Sequence, residues 1–302
     1  LFLKAKRGTL SDLSERVSPN TFGLALALPA VLAVLLIVVY PLLYNVRLSF
    51  YDIKLLGSAK STFVGLGNYV RIFGSPSFWT ALMNTLRFAL LAVGAQLLLG
   101  FAMALIFNSL TNSVGFIRSL LSTPVMIAPV VIALQWRWMY SEQYGILNYF
   151  LNLLGLESVQ WLSSPVVAPY SLILVDTWQN FPFVMMILLA GLQSLPTDPY
   201  DAARVDGASW LQTLRYITLP LLRPVLLVAI IVRTTDVFRI FDTVYVLTGG
   251  GPGNASEVLG TLTYRQTFTF INFGTGAALS IISLIVCCVI GMLSIKLFKP
   301  AD

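Results

Sequence analysis

The sequence contains no histidine, and its two cysteines, Cys287 and Cys288, are neighbours in an apolar run. Without histidine the commonest metal ligand and general base is missing. Adjacent cysteines in such a run outline neither a disulfide framework nor a metal site. Charge is also scarce. Only 11% of the 302 residues are charged, against roughly 25% in a soluble domain, while 57% are hydrophobic. These proportions exclude a soluble globular enzyme. The net charge of +6 is no sign of nucleic acid, because in a membrane chain its distribution among the loops carries the information. A phosphate-cradling G-x-x-x-x-G-K-S/T loop is absent too; the glycine-rich run Gly249–Gly253 has no lysine after it. The chain is expected to hold no catalytic residue, no metal and no nucleotide of its own.

What is present is a succession of apolar runs. Phe22 to Tyr44 is long enough to cross a hydrocarbon core of about 30 Å at ~1.5 Å per residue, with Pro29 and Pro41 inside it. Further spans are expected at about Phe88 to Phe107, Ile117 to Tyr140, Val166 to Leu195, Pro224 to Leu247 and Gly274 to Phe298. The second carries Gln96, and the third carries Pro124 and Pro129, whose freed carbonyls need partners or a water-lined cavity. Ile146 to Leu156, with Asn148 and Asn152 four apart, reads as a short helix at the interface. The fold class is thus all-α and polytopic, with six transmembrane helices, a polar tail over 1–21 and a membrane domain over 22–300. The start at Leu1 points to residues preceding it in the full protein. The first apolar run is too long, and lacks a small-residue cleavage site nearby, for a cleavable signal peptide.

Six spans put both termini on one side. That side holds ten basic residues: Lys4, Lys6, Arg7, Arg16, Arg118, Arg204, Arg215, Arg223, Lys296 and Lys299. The other holds five: Arg47, Lys54, Lys60, Arg71 and Arg265. The positive-inside rule makes the termini cytoplasmic. It puts the loop over 196–221, between spans four and five, in the cytoplasm as well.

That loop is a polar island. Asp198 suits an N-cap with Pro199 at the first helical position, and Asp201 stands three residues on, where an acid reaches back to the cap amide. Gly207 suits a left-handed end to the short helix. Ser209 suits the cap of a second helix, ended by Pro220. Ala203 and Gly207 share a face bearing little side chain. The pattern Asp201-Ala202-Ala203, Gly207 and Ile217-Thr218-Leu219-Pro220 resembles the EAA loop of permease subunits in ATP-binding-cassette importers, with Asp in place of Glu at the first position. Phe238 to Pro252, Pro182-Phe183, Ala190-Gly191-Leu192 and Leu195-Pro196 are similar to segments of carbohydrate-type permeases of the maltose, trehalose, glycerol-phosphate and alginate systems.

The resemblance implies a cytoplasmic coupling helix, carried by Asp201, Ala202, Ala203, Arg204, Asp206, Gly207 and Ala208 with Ile217, Leu219 and Pro220, seated on an ATPase subunit. For Asp201 the alternative is local capping, and both can hold. It further implies a second homologous permease subunit, two ATPase subunits that bind ATP and Mg, and an extracytoplasmic solute-binding protein. That protein would face residues 45–80, 141–165 and 249–272. The resemblance also implies a place in a bacterial or archaeal cytoplasmic membrane.

Charges inside spans cost roughly 2.5–3.5 kcal/mol each on insertion scales and usually face a cavity or a partner. Arg87, Arg137, Asp176, Arg233, Asp236, Arg239 and Asp242 are such residues, and the last four are three apart, a spacing at which helical neighbours pair. With Trp178, Gln179 and Asn180, they are candidates for a polar path that hydrogen-bonds sugar hydroxyls; Arg87 is left aside. Structural ion pairs are the other reading for each residue alone. Trp136, Trp138 and Trp178 have the rings to stack on a sugar, and Trp136 and Trp138 equally suit interface anchors. Arg137, Arg233 and Arg239 lean towards an acidic sugar or a phosphate ester, a lean that Asp176, Asp236 and Asp242 offset. The expectation is a permease subunit for a carbohydrate, of oligosaccharide size. An ion- or proton-coupled transporter working without an ATPase is a second reading, and an intramembrane enzyme a third. Neither accounts for the Asp201–Pro220 pattern.

Overall fold

The computed structural model describes residues 19–53, 61–110 and 115–298. The basic tail, Lys54, Lys60 and Lys299 lie outside the described residues. The described residues are mostly helical. The first span is built from α1 (Pro19–Val34), a π turn at Leu35–Val39 and α2 (Tyr40–Ser49). A short antiparallel hairpin follows, β1 (Tyr51–Ile53) against β2 (Ser61–Phe63), then α3 (Gly67–Phe73). The second span, α4 (Pro76–Ser109), is longer than its apolar run, because Pro76 opens the helix in its first turn and Phe78 and Ala81 bury against the last span.

The third span is broken. α5 (Gly115–Met126) and α6 (Pro129–Met139) meet at 97°. Pro129 cannot supply the amide that would continue the ladder, so a new helix starts there. Five further helices are long and apolar enough to cross a membrane, six spans when this bent pair counts as one. α7 (Ile146–Leu153) is the short helix expected in the following loop. Its Asn148 is buried rather than interfacial, accepting from Val159 N and Trp161 Nε1 and donating to Val159 O, so it staples the loop shut.

The fourth span, α8 (Ala168–Gln193), packs along α4 over most of its length. Gly100 allows this approach: a Cβ there would stand 2.8 Å from Val184. Small residues at such contacts are how helices associate where lipid removes the hydrophobic drive. After the polar loop, with α9 (Asp198–Val205) and α10 (Trp210–Thr213), the chain climbs through a π turn (Leu214–Thr218) into α11 (Leu219–Phe238). α12 (Asp242–Leu247), α13 (Leu259–Tyr264) and a π turn at Arg265–Thr269 lead to the last span, α14 (Phe273–Phe298). The largest buried cluster joins Phe88, Ala92, Ile132, Trp136, Leu172 and Val237 from spans two to five. Among the described residues the first span contributes nothing to it; its helix meets the rest through α2 against α14.

Candidate functional site

Asp176 sits near the middle of α8, where only a strongly partnered carboxylate is tolerated. Three helices supply its partners. Gln96 of α4 donates from Nε2 to Asp176 Oδ2 at 2.7 Å, and Asn180, one turn on, donates to Oδ1 at 3.0 Å. Arg233 of α11 brings Nη2 to 3.5 Å from Oδ2. The same guanidinium donates from Nε to Gln96 Oε1 at 2.9 Å and from Nη1 to Asp236 Oδ2 at 3.1 Å. Arg233 is buried, while the Asp236 side chain is 48% exposed. The cluster is therefore anchored on its inner side and open on its outer side.

The opening is a cavity of about 250 Å³ that also admits Gln179, Arg239 and Asp242. Gln179 donates to the carbonyl of Ile127, in the break of the third span, and so satisfies a group freed by the proline-driven kink. Seven of the predicted path residues thus converge: Asp176, Gln179, Asn180, Arg233, Asp236, Arg239 and Asp242. Two do not. Trp178 turns its ring to Trp136, with centroids 5.5 Å apart and planes at 67°. Arg137 donates to the Val246 carbonyl at 3.2 Å beside a separate groove. Trp136 is buried, which corrects its reading as an interface anchor, whereas Trp138 is 76% exposed.

The three-residue ladder of charges is also corrected. α11 ends at Phe238, so Arg239 and Asp242 stand on opposite sides of a break and only the Arg233–Asp236 pair forms. Among the described residues Arg239 makes no ion pair; with Arg233 held by two carboxylates, the lean towards an acidic sugar rests on Arg239 alone. Sequence reasoning did not count Gln96 in the site. Its signal was present: one amide in an otherwise apolar span, fully buried in the structure.

The polar loop is helix, turn, helix, with two local differences. α9 begins at Asp198 itself, behind Thr197, and Asp201 pairs with Arg204 at 3.0 Å instead of reaching back to a cap amide. Pro220 does not end a helix: it lies in the first turn of α11, after a π turn, a place where a missing amide costs nothing. Gly207 has φ +70° and open space where a Cβ would be. Ser209 makes the expected cap, a reciprocal box with Gln212. Ala202, Ala203, Asp206, Gly207 and Ala208 line one shallow groove with Ile217. Leu219 is half-buried at the root of α11, and Arg204 is exposed. Around them Val205, Trp210, Leu211 and Tyr216 stand 64% exposed or more.

Residues 21–301 match the family described as "Binding-protein-dependent transport system inner membrane component". The chain is 37% identical over 264 residues to the trehalose/maltose transport system permease protein MalF of Thermococcus litoralis, covering 87% of this chain and 88% of that one. It is 34% identical to the trehalose transport system permease protein SugA of Mycobacterium tuberculosis, covering 96% and 93%. In fold it is similar to a chain of a bacterial ABC transporter that imports the acidic polysaccharide alginate. The TM-score there is 0.81 at 23% identity, over 95% of this chain and 98% of that one. The chain accordingly belongs to the inner-membrane components of binding-protein-dependent transport systems.

Proposed function

We propose that this chain is one of two permease subunits of an ATP-driven sugar importer in a bacterial or archaeal cytoplasmic membrane, with both termini inside. The observation that carries the reading is the pairing of a buried Asp176–Gln96–Arg233 cluster with an open polar cavity inside a bundle of this family. The relatives named for trehalose and maltose support a neutral oligosaccharide. The alginate transporter, solved also in complex with a pentasaccharide-bound periplasmic protein, supports a delivering binding protein and keeps an acidic sugar in view. One cavity wall made by one chain encloses no path, so a homologous partner supplies the facing wall.

In this reading Asp236, Asn180, Gln179 and Asp242 offer hydrogen bonds to sugar hydroxyls. Arg233 does not bind sugar directly; it holds the acids in place. The polar loop seats on an ATPase, which binds ATP and Mg. Closure of the ATPases would move α9 as a lever and rock the spans between inward- and outward-open states. Two measurements test this. Pull-down from native membranes should recover an ATPase and a second permease with the wild type, and lose the ATPase with Gly207→Arg. Proteoliposomes holding the recovered complex and its binding protein should take up labelled trehalose or maltose only with ATP inside. Uptake by the chain alone, without ATP, would replace the reading with an ion-coupled carrier.

A further inference from the structure

Four rings stand in mutual contact beside the polar cavity, and the transport reading above leaves them without a task. Phe241 and Tyr245 lie one turn apart around α12, their centroids 5.1 Å apart and nearly parallel. Tyr264, at the end of α13, meets Phe241 at 4.9 Å and Tyr245 at 5.0 Å. Phe268, one turn further, meets Tyr264 at 5.1 Å. The arrangement is built rather than incidental: a Cβ on Gly260 would come within 2.5 Å of the Ile240 carbonyl, so the two short helices approach this closely only with glycine there. Yet the outer rings are left bare, Tyr245 47% and Phe268 64% exposed.

Phe241 belongs to two cavities. It lines the 250 Å³ polar one, and also one of about 320 Å³ edged by Tyr264, Phe268, Thr263, Ser280 and Asn45. A mostly apolar hollow with a few hydroxyls and an amide is the usual composition of a small-molecule site. Aromatic faces suit the C–H face of a pyranose, while neighbouring polar groups take its hydroxyls, and tyrosine combines both kinds of contact. We infer that Phe268, Tyr264, Tyr245 and Phe241 form a stacking track that receives a sugar ring from the end of the molecule opposite the coupling loop and passes it to the Asp176–Arg233 cavity. Phe241 directly precedes Asp242 and lines the polar cavity with it, so the rings lead straight to the polar groups. The inference rests on the sugar-importer reading and adds a second site to it.

The test uses the whole complex in proteoliposomes with saturating binding protein, trehalose and maltose as probes. Tyr245→Leu and Phe268→Leu keep apolar volume and remove the ring face; Tyr245→Phe and Phe268→Tyr keep the ring. Uptake should fall about fivefold or more in the leucine variants and clearly less in the aromatic ones, with unchanged recovery of the partner permease and binding protein. Leucine variants with wild-type uptake would overturn the track. So would a loss of uptake accompanied by loss of a partner subunit, which would make the rings a protein interface. A wild-type complex that moves neither sugar would instead remove the importer reading for these sugars and the track with it.

Discussion

The two ends of the fifth span are built on opposite plans. At the loop before it, the polar groups are spent on local geometry and the large apolar side chains are left uncovered: Val205, Trp210, Leu211 and Tyr216 face outward. At the loop after it, the charged groups and amides of the turn are tied to one another. Glu257, with a side chain 2% exposed, holds Arg265 at 2.5 Å; Arg265 donates to Gly249 O and Asn254 Oδ1; Asn84 of α4 donates to the carbonyls of Asn254 and Glu257. One end closes its polar contacts within the chain, while the other leaves its large apolar side chains uncovered. In the importer reading, those uncovered side chains are where an ATPase subunit would seat.

The strongest way to break this contrast is to cut the tie at the finished end. Arg265→Leu leaves a buried carboxylate without its cation and should cost about 3–5 kcal/mol, seen as early unfolding of the loop by protease nicking near Gly253. Burial pushes the Glu257 carboxyl above its usual range, with the Thr261 hydroxyl and the Arg265 guanidinium pulling it back. A carboxyl raised in this way holds its proton longer folded than unfolded. Its stabilising contribution is complete below the ordinary glutamate value near ~4.3 and is lost as pH rises through the folded value. Melting temperature of the solubilised complex should therefore fall across that window, and Glu257→Gln should flatten the fall.

Gly250→Ala attacks the same end through the backbone. Its φ is +90°, and the new Cβ would stand 2.5 Å from Glu257 Oε2. A cost of roughly 1–3 kcal/mol is expected, and a pair of melting curves with and without Arg265→Leu should show non-additivity, since both changes strike one ion pair. Gly207→Ala is the matched change at the unfinished end. It has positive φ but empty space around it, so only the backbone term of about 1–2 kcal/mol remains. A larger loss in the isolated chain than in Gly250→Ala would overturn the contrast.

Much of this was readable in the chain. The spans follow from apolar length, and Gly207 and Ser209 announced the turn and cap that the structure has. Asp176 and Arg233 were legible as costly charges needing company. What periodicity could not supply was the company itself. Gln96 is 80 residues from Asp176 and 137 from Arg233, and only the close packing of α4 on α8 brings it to them. The kink at Pro129 was visible as a proline but not as a 97° turn. Nothing in the local sequence marks Glu257 as buried. Its burial depends on Arg265 folding back over the glycine run, a tertiary event with no local signature. The Phe241/Tyr245 and Tyr264/Phe268 pairs each carry a helical spacing, yet their junction requires Gly260.

The smallest effect sharpens the comparison most. Asp201 and Arg204 form an ion pair on the surface, with side chains 63% and 81% exposed. Such a pair contributes well under ~1 kcal/mol to folding, so Asp201→Ala should leave the melting temperature of the isolated chain nearly unchanged. Were the pair merely structural, nothing else would follow. If the loop seats on an ATPase, the same substitution strips a charge from the contact and frees Arg204 to swing. ATP hydrolysis stimulated by loaded binding protein should then drop several-fold, while ATPase recovery in pull-down falls only in part. Asp201→Glu should restore the stimulation, since it keeps the charge at a slightly longer reach. A stable Asp201→Ala chain with full stimulation would show that the exposed residues of this loop are not read by the motor, and that its unfinished look has another cause.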